Sequence, residues 1–404
     1  MTVSPEKLGP SYFQDPHPIQ ARLREQGPVT LVQMPEGFPA WLVTRYADVR
    51  AALTDRRLFK DWRKLAVPGA EVPADGSAAD MINAHLLNLD PPDHERLRRL
   101  VTKAFTARRV ADLRPRIAEI TGALLDDLSG GGQNEVDLLE SFAFPLPVTV
   151  ISELLGIPAS DRDRFRSWSD AVVSSVTSPE RMQAAATEMS EYFTAQARAR
   201  RDSSGASDDL LTALVHAQDA GDRLSTGELI SMVFLLLVAG HETTVNLIAS
   251  GTLALLLDPA AYARLRADRS LLPAAIEEML RYTSPVNHAT YRFTTEPISL
   301  AGVDIAAGQV VVVGLSSANH DPARFVSPES FDTGRDAGGH LAFGHGIHFC
   351  LGAPLARLEA EIAFNGLLDR FPDLALAVPQ AELRWRPSTL IRGLERLPVR
   401  LGSA

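Results

Sequence analysis

Apolar side chains recur along this chain mostly at three- and four-residue intervals, the period of a helix with one buried stripe, and seldom alternate in twos. The spacing predicts helices over 46–54, 92–105, 113–128, 142–155, 181–201, 208–217, 226–257, 260–268, 273–282 and 354–370. Alternation is confined to short runs. Those at 28–34 and 40–44, either side of a turn at 35–39, and those at 309–315 and 397–401 read as strands. No repeat period appears, and the low-complexity spots at 129–132 and 202–207 are short enough to be surface loops. The expected architecture is mainly α: one domain over 1–404, a large helical body with a small β-rich portion at roughly 28–45 and 286–320.

The most apolar run, 232–240, is interrupted by His241-Glu242-Thr243-Thr244 before it resumes over 245–257. A membrane span needs about 18 apolar residues in a row, so the run predicts a buried core helix and no membrane insertion. The first 26 residues are polar and lack the apolar centre of a signal peptide. A soluble, cytoplasmic protein is expected. Composition agrees with a globular chain: 404 residues, 45% hydrophobic and 22% charged. The formal charge of −10 argues against nucleic acid and against a polybasic membrane patch. A single cysteine, Cys350, excludes an internal disulfide and suits a reducing compartment.

That cysteine sits in Phe343-Gly344-His345-Gly346-Ile347-His348-Phe349-Cys350-Leu351-Gly352, followed by Ala353-Pro354 and a helical pattern. Pro354 marks a helix start, so Cys350 lies just ahead of an N-terminus whose N–H groups favour a thiolate. Gly344, Gly346 and Gly352 leave room for the backbone to approach a flat cofactor. Zinc fits poorly. His340, His345, His348 and Cys350 crowd together, but one sulfur and this spacing match no common zinc site, and Val245 stands where a zinc-protease helix would repeat its histidine. The residues alone leave two readings, an inert packed thiol or a ligand.

Three other segments carry unusual chemistry. In the long apolar helix, Gly240 costs about 1 kcal/mol relative to Ala, and Glu242 and Thr243 need polar partners. Glu278 and Arg281, three apart, share a helix face. Asp90-Pro91-Pro92 opens a helix on which His94 and Arg98 share another.

The run 343–352 is similar, at every fixed position, to the heme-binding loop F-x-x-G-x-[HR]-x-C-x-G of the cytochrome P-450 family. Ala239-Gly240-His241-Glu242-Thr243-Thr244, Glu278-x-x-Arg281 and the 90–98 segment match further motifs in the family's order, so the resemblance spans nearly the whole chain. It implies the P-450 fold and a heme-thiolate monooxygenase, with heme b held through iron by Cys350 and flanked by Phe343, Gly344, Gly352, Ala239 and Gly240. His94, Arg98, Arg292 and His348 would bind the propionates. Glu242 and Thr243 would be the acid–alcohol pair that passes protons to O2, in a helix that opens locally. Glu278 and Arg281 would form a structural clamp with a third basic residue from a Pro-x-Arg-Phe segment. Here Ser330 stands in that segment, which leaves Arg324 or a histidine as the expected partner.

Family position would place Leu235, Val238, Asn287, His288 and Ile391 in the substrate pocket, with further walls from 62–87 and 165–176. The chain is similar to actinobacterial hydroxylases of macrolides, other polyketides and secosteroids, which implies hydroxylation or epoxidation of a large, mostly apolar molecule in secondary metabolism such as antibiotic biosynthesis. No Gly-rich dinucleotide fingerprint follows a strand. Electrons are therefore expected from a ferredoxin and its NAD(P)H-dependent reductase, docked on Arg99, Lys103, Arg108, Arg109 and Arg357. A peroxide-driven enzyme of the same fold and a heme gas sensor are the alternatives.

Overall fold

The computed structural model describes residues 5–62, 84–102, 105–202, 209–216, 218–219 and 222–402. Lys103 and most of the expected 62–87 pocket wall lie outside the described residues.

The helix that organises the molecule is Thr226–Leu257, 32 residues and about 48 Å long. Its start is set locally. The Ser225 hydroxyl accepts from the Glu228 amide at 3.1 Å, and the Glu228 carboxylate accepts from the Ser225 amide at 2.8 Å. Asp258-Pro259 ends it and caps the next helix, Pro259–Ala267. By length and composition this helix could cross a membrane; in the fold it is a core element, buried on nearly every side. Around it pack Pro145–Leu154, Pro179–Asp202, Leu272–Thr283 and Ala353–Arg370. The boundaries follow the expected helices closely, and Tyr46–Thr54 matches at both ends.

Short helices escaped the apolar period. His17–Gln26 buries only Gln20 and Leu23, and Arg162–Val173, though it buries Phe165, Trp168 and Ala171, is mostly polar in sequence. The strands combine more than the sequence indicated. A six-stranded sheet runs Glu6–Lys7, Val29–Gln33, Pro39–Val43, Val310–Val313, Arg292–Thr294, Leu58–Phe59 in spatial order. Val312 pairs in parallel with Leu42, and Val310 antiparallel with Phe293, so two stretches some 270 residues apart share one sheet. A second sheet joins Ala375–Leu376, Pro398–Arg400 and Glu135–Asp137.

Candidate active site

Cys350 enters its place through a tight loop. Its amide donates to the Phe343 carbonyl at 2.9 Å, and Gly344 and Gly346 turn the chain at φ of +70° and +75°. At Gly346 a Cβ would also meet Thr54 Cγ2 at 2.9 Å, so these glycines serve the turn and its packing before any cofactor. Helix Ala353–Arg370 follows at once. The helix N-terminus does act on the sulfur, but it does not win. Burial raises the thiol pKa, and the Gly352 and Ala353 amides and the Arg98 charge only partly oppose it. The protein alone therefore holds a thiol; bound metal would be what makes it a thiolate.

Beside this loop lies a cluster of basic nitrogens with too few acceptors. His94 is 1% exposed and its ring stands 4.4 Å from that of His348. Both ring nitrogens of His94, Nδ1 of His348 and Nε of Arg292 are buried without a partner. Burial, then the neighbouring cations, push both histidines below their ordinary pKa, and burial takes Arg292 down to about 10. Arg98 donates to the Phe349 carbonyl at 2.8 Å. Buried polar groups are rarely left unpaired, so this cluster is built for an anionic ligand. Two carboxylates on a flat, apolar group match that donor set, which is what a heme with two propionates presents.

The central helix carries a matching gap in its burial. Leu235, Val238, Gly240 and Thr243 are half-buried and Ala239 is exposed, although Leu237, His241, Glu242 and Thr244 beside them are buried. Residues 235, 239 and 243 repeat at four, so they form one uncovered stripe. The Thr243 hydroxyl donates to the Ala239 carbonyl at 3.0 Å, which leaves its oxygen free to accept. The expected opening of the helix is not seen. It is helical throughout, and Gly240 is required instead by Ile151 of the neighbouring helix, whose Cγ1 a Cβ would meet at 2.9 Å.

Glu242 differs from expectation as well. It is 4% exposed and ion-paired with Arg386 Nη1 at 3.0 Å, while His241 Nε2 comes only to 3.6 Å. Burial pushes the carboxyl pKa up, but these two neighbours outweigh it and hold the group at about 2. At neutral pH Glu242 is a carboxylate, an acceptor. It can pass on a proton only once Arg386 releases it, and Arg386 keeps Asp170 at 2.6 Å as its other partner.

The clamp forms, with a different third member. Glu278 and Arg281 are fully buried and joined at 2.6 and 2.8 Å. Arg281 spends its other N–H groups on the carbonyls of Asn319, Pro328 and Ser330. The third basic residue is Arg335, 3.2 Å from Glu278, not Arg324 or a histidine. Arg324 lies over the Phe325 ring, and His340 pairs with Glu277. Ser330 contributes its backbone carbonyl, which accepts from Arg281.

Two expected pocket residues are turned elsewhere. His288 Nε2 is 2.7 Å from the Tyr12 hydroxyl, and Asn287 accepts from Gln20 at 3.0 Å and donates to the Thr389 carbonyl at 3.3 Å. Both brace the N-terminal helices against the sheet. Ile391 is buried and bridges to Val286. Arg357, expected on the docking surface, is held by Glu277 at 2.6 and 2.8 Å, whereas Arg99, Arg108 and Arg109 are exposed. A 620 Å³ surface cavity lined by His94, Arg98, Arg99 and Ile347 opens beside them.

Comparison with known proteins points to one family. The family model "Cytochrome P450" matches residues 176–376. The chain is 54% identical over 398 residues to Cytochrome P450 107B1 of Saccharopolyspora erythraea, covering 97% of this chain and 96% of that one. It is 47% identical to the vitamin D(3) 25-hydroxylase of Pseudonocardia autotrophica, over 97% and 95% of the two chains. The tirandamycin C-bound P450 monooxygenase TamI superposes with a TM-score of 0.91 at 48% identity, covering 98% of this chain and all of that one. A thiol loop, a basic cluster awaiting carboxylates and whole-length relatives of this kind place the chain in the cytochrome P450 family, the heme-thiolate monooxygenases.

Proposed function

We propose that this enzyme binds heme b between the Cys350 loop and the uncovered stripe of the central helix, and hydroxylates or epoxidises a largely apolar molecule, a macrolide, another polyketide or a secosteroid. The observation that carries the reading is the set of buried, unpartnered nitrogens on His94, His348 and Arg292 next to the only cysteine. When bound, the heme supplies the activation of O2 and the oxidation of a C–H bond. The protein's own parts do the rest. Cys350 supplies the sulfur ligand, and Arg98 and the Gly352 and Ala353 amides offset its charge. Thr243 presents an acceptor oxygen on the stripe, where it can hold a water or a substrate hydroxyl and steer a proton. Glu242 and Arg386 form the reserve behind it. Leu235 and Val238 give the stripe an apolar wall.

A whole-length relative named for hydroxylating vitamin D(3) and a neighbour bound to tirandamycin C support the substrate class. Retention of both Glu242 and Thr243 favours dioxygen with electron delivery over peroxide. The exposed Arg99, which lines the cavity beside His94, and the exposed Arg108 and Arg109 suit an acidic ferredoxin, reduced in turn by an NAD(P)H-dependent reductase in the cytoplasm. Spectral titration of the heme-loaded enzyme with macrolide and secosteroid panels tests the substrate class. Spin-state shifts with members of these panels are expected; shifts with small polar molecules alone would sink it. Cys350→Ala should abolish the long-wavelength ferrous–CO band, and a retained band would mean that another residue is the ligand.

A further inference from the structure

Among the described residues, Lys60 is a buried cation with no carboxylate in direct contact with its ammonium. It is 4% exposed, and no carboxylate among the described residues forms a salt bridge with it. Its ammonium donates to the neutral hydroxyl of Thr290. The Asp90 carboxylate attracts Lys60 through space, but its oxygens receive the Lys60 and Asp61 backbone amides rather than the ammonium. A lone buried charge of this kind is costly and is seldom kept without a partner.

The sheet register shows where the partner belongs. Leu58 pairs with Thr294 and Phe59 with Phe293, so Lys60, the residue after that strand, comes next to Arg292, whose charge acts on it. Thr290, two residues before Arg292, is on that side too, since its hydroxyl receives the Lys60 ammonium. Two cations opposite each other repel unless an anion lies between them. Both Nη atoms of Arg292 are already given to the carbonyls of Leu58 and Leu53, and only Nε is unpartnered. Nε is thus the guanidinium nitrogen with no bond of its own, and in giving it to one carboxylate oxygen Arg292 leaves the other oxygen for a second donor. Burial and then the Arg292 charge lower the Lys60 pKa well below its ordinary value, with Asp90 opposing them only in part.

We propose that Lys60, seated on Thr290, is a further anchor of the cofactor: it and Arg292 Nε hold the two oxygens of one heme propionate. The inference rests on the heme b reading above and adds a residue that the motifs do not reveal. Lys60→Met and Lys60→Arg test it in the heme-loaded enzyme, by the rate of heme loss to excess apomyoglobin. One charge-assisted hydrogen bond corresponds to roughly a tenfold to hundredfold difference in retention. Lys60→Met should release heme b faster by about that factor, and Lys60→Arg should stay near the native rate. Loaded with heme dimethyl ester, which has no propionate charge, native and Lys60→Met proteins should release it alike. Equal loss of heme b from native and Lys60→Met proteins would overturn the proposal. So would a difference that persists with the diester, or an effect confined to the affinity of carboxylate-bearing substrates. Should Lys60→Met not fold, Lys60→Gln carries the same comparison. A native protein that takes up no heme at all would instead overturn the heme reading itself.

Discussion

Thr243 and Glu242 are neighbours in sequence with different tasks. The Thr243 hydroxyl already spends its proton on Ala239, so its value lies in an acceptor oxygen on the uncovered stripe. Thr243→Ala should keep heme uptake and substrate spin shifts while more NAD(P)H is consumed per product and peroxide accumulates; unchanged coupling would remove this residue from the proton path. Glu242 has a folded pKa near 2 against an ordinary 4.5. A depressed carboxyl stabilises fully above pH 4.5 and loses that contribution as the pH falls toward 2, at most roughly 3 kcal/mol. Arg386→Gln should lower stability at pH 7 and flatten the acid loss in this window, read from denaturant unfolding at a series of pH values. Superimposable profiles would show that Arg386 does not hold the carboxylate. Glu359 has the opposite sign. It is 1% exposed, its Oε2 is unpartnered, and burial raises its pKa to about 8. Its proton is held more tightly in the fold, so stability is fully present below pH 4.5 and is lost as the pH rises through 8. Glu359→Gln should therefore stabilise the protein at pH 8–9 and change little at pH 4, measured as Tm across that range.

The central helix works as an element because its neighbours fit it closely. Gly240 admits Ile151, and Gly251 lies where a Cβ would meet Phe364 at 2.8 Å and Met279 Sδ at 3.0 Å. Gly240→Ala should lose stability despite the better helix propensity of alanine: the gain is about 1 kcal/mol, and overpacking costs about 1–3 kcal/mol. Adding Ile151→Ala should leave no further clash between the two positions, so a double-mutant cycle by thermal unfolding should show coupling. Additive effects would place the cause of the glycine elsewhere. The clamp ties helix Leu272–Thr283 to the 326–335 segment through a fully buried pair. Breaking it from one side leaves an uncompensated charge, so Arg281→Met should cost about 3–5 kcal/mol.

Across the whole molecule, distant segments supply one site. In the proposed site the sulfur comes from 350, the stripe from 235–243, the histidines from 94 and 348, Arg292 from a sheet strand and Lys60 from just beyond the strand paired with it. Arg386, close to the C-terminus, reaches both Glu242 and Asp170 and so joins the central helix to helix Arg162–Val173. That three-way link would make the reserve of the proposed proton path sensitive to the position of helix Arg162–Val173.

Much of this was legible in the chain before folding. A run of fixed positions around Cys350, a glycine and a Glu-Thr pair in an apolar helix, and Glu278 with Arg281 are local patterns, and the long helices show their period for the same reason: each is determined by residues a few places apart. What only the tertiary structure decided depends on partners far away in sequence. Arg335 replaces the expected clamp partner, Arg386 fixes Glu242 as a carboxylate, Gly240 answers to Ile151, and Asn287 and His288 turn to Gln20 and Tyr12. The charge on Lys60 has meaning only opposite Arg292. Burial sets the sign of each pKa shift, and burial is a property of what the fold brings together, not of spacing along the chain.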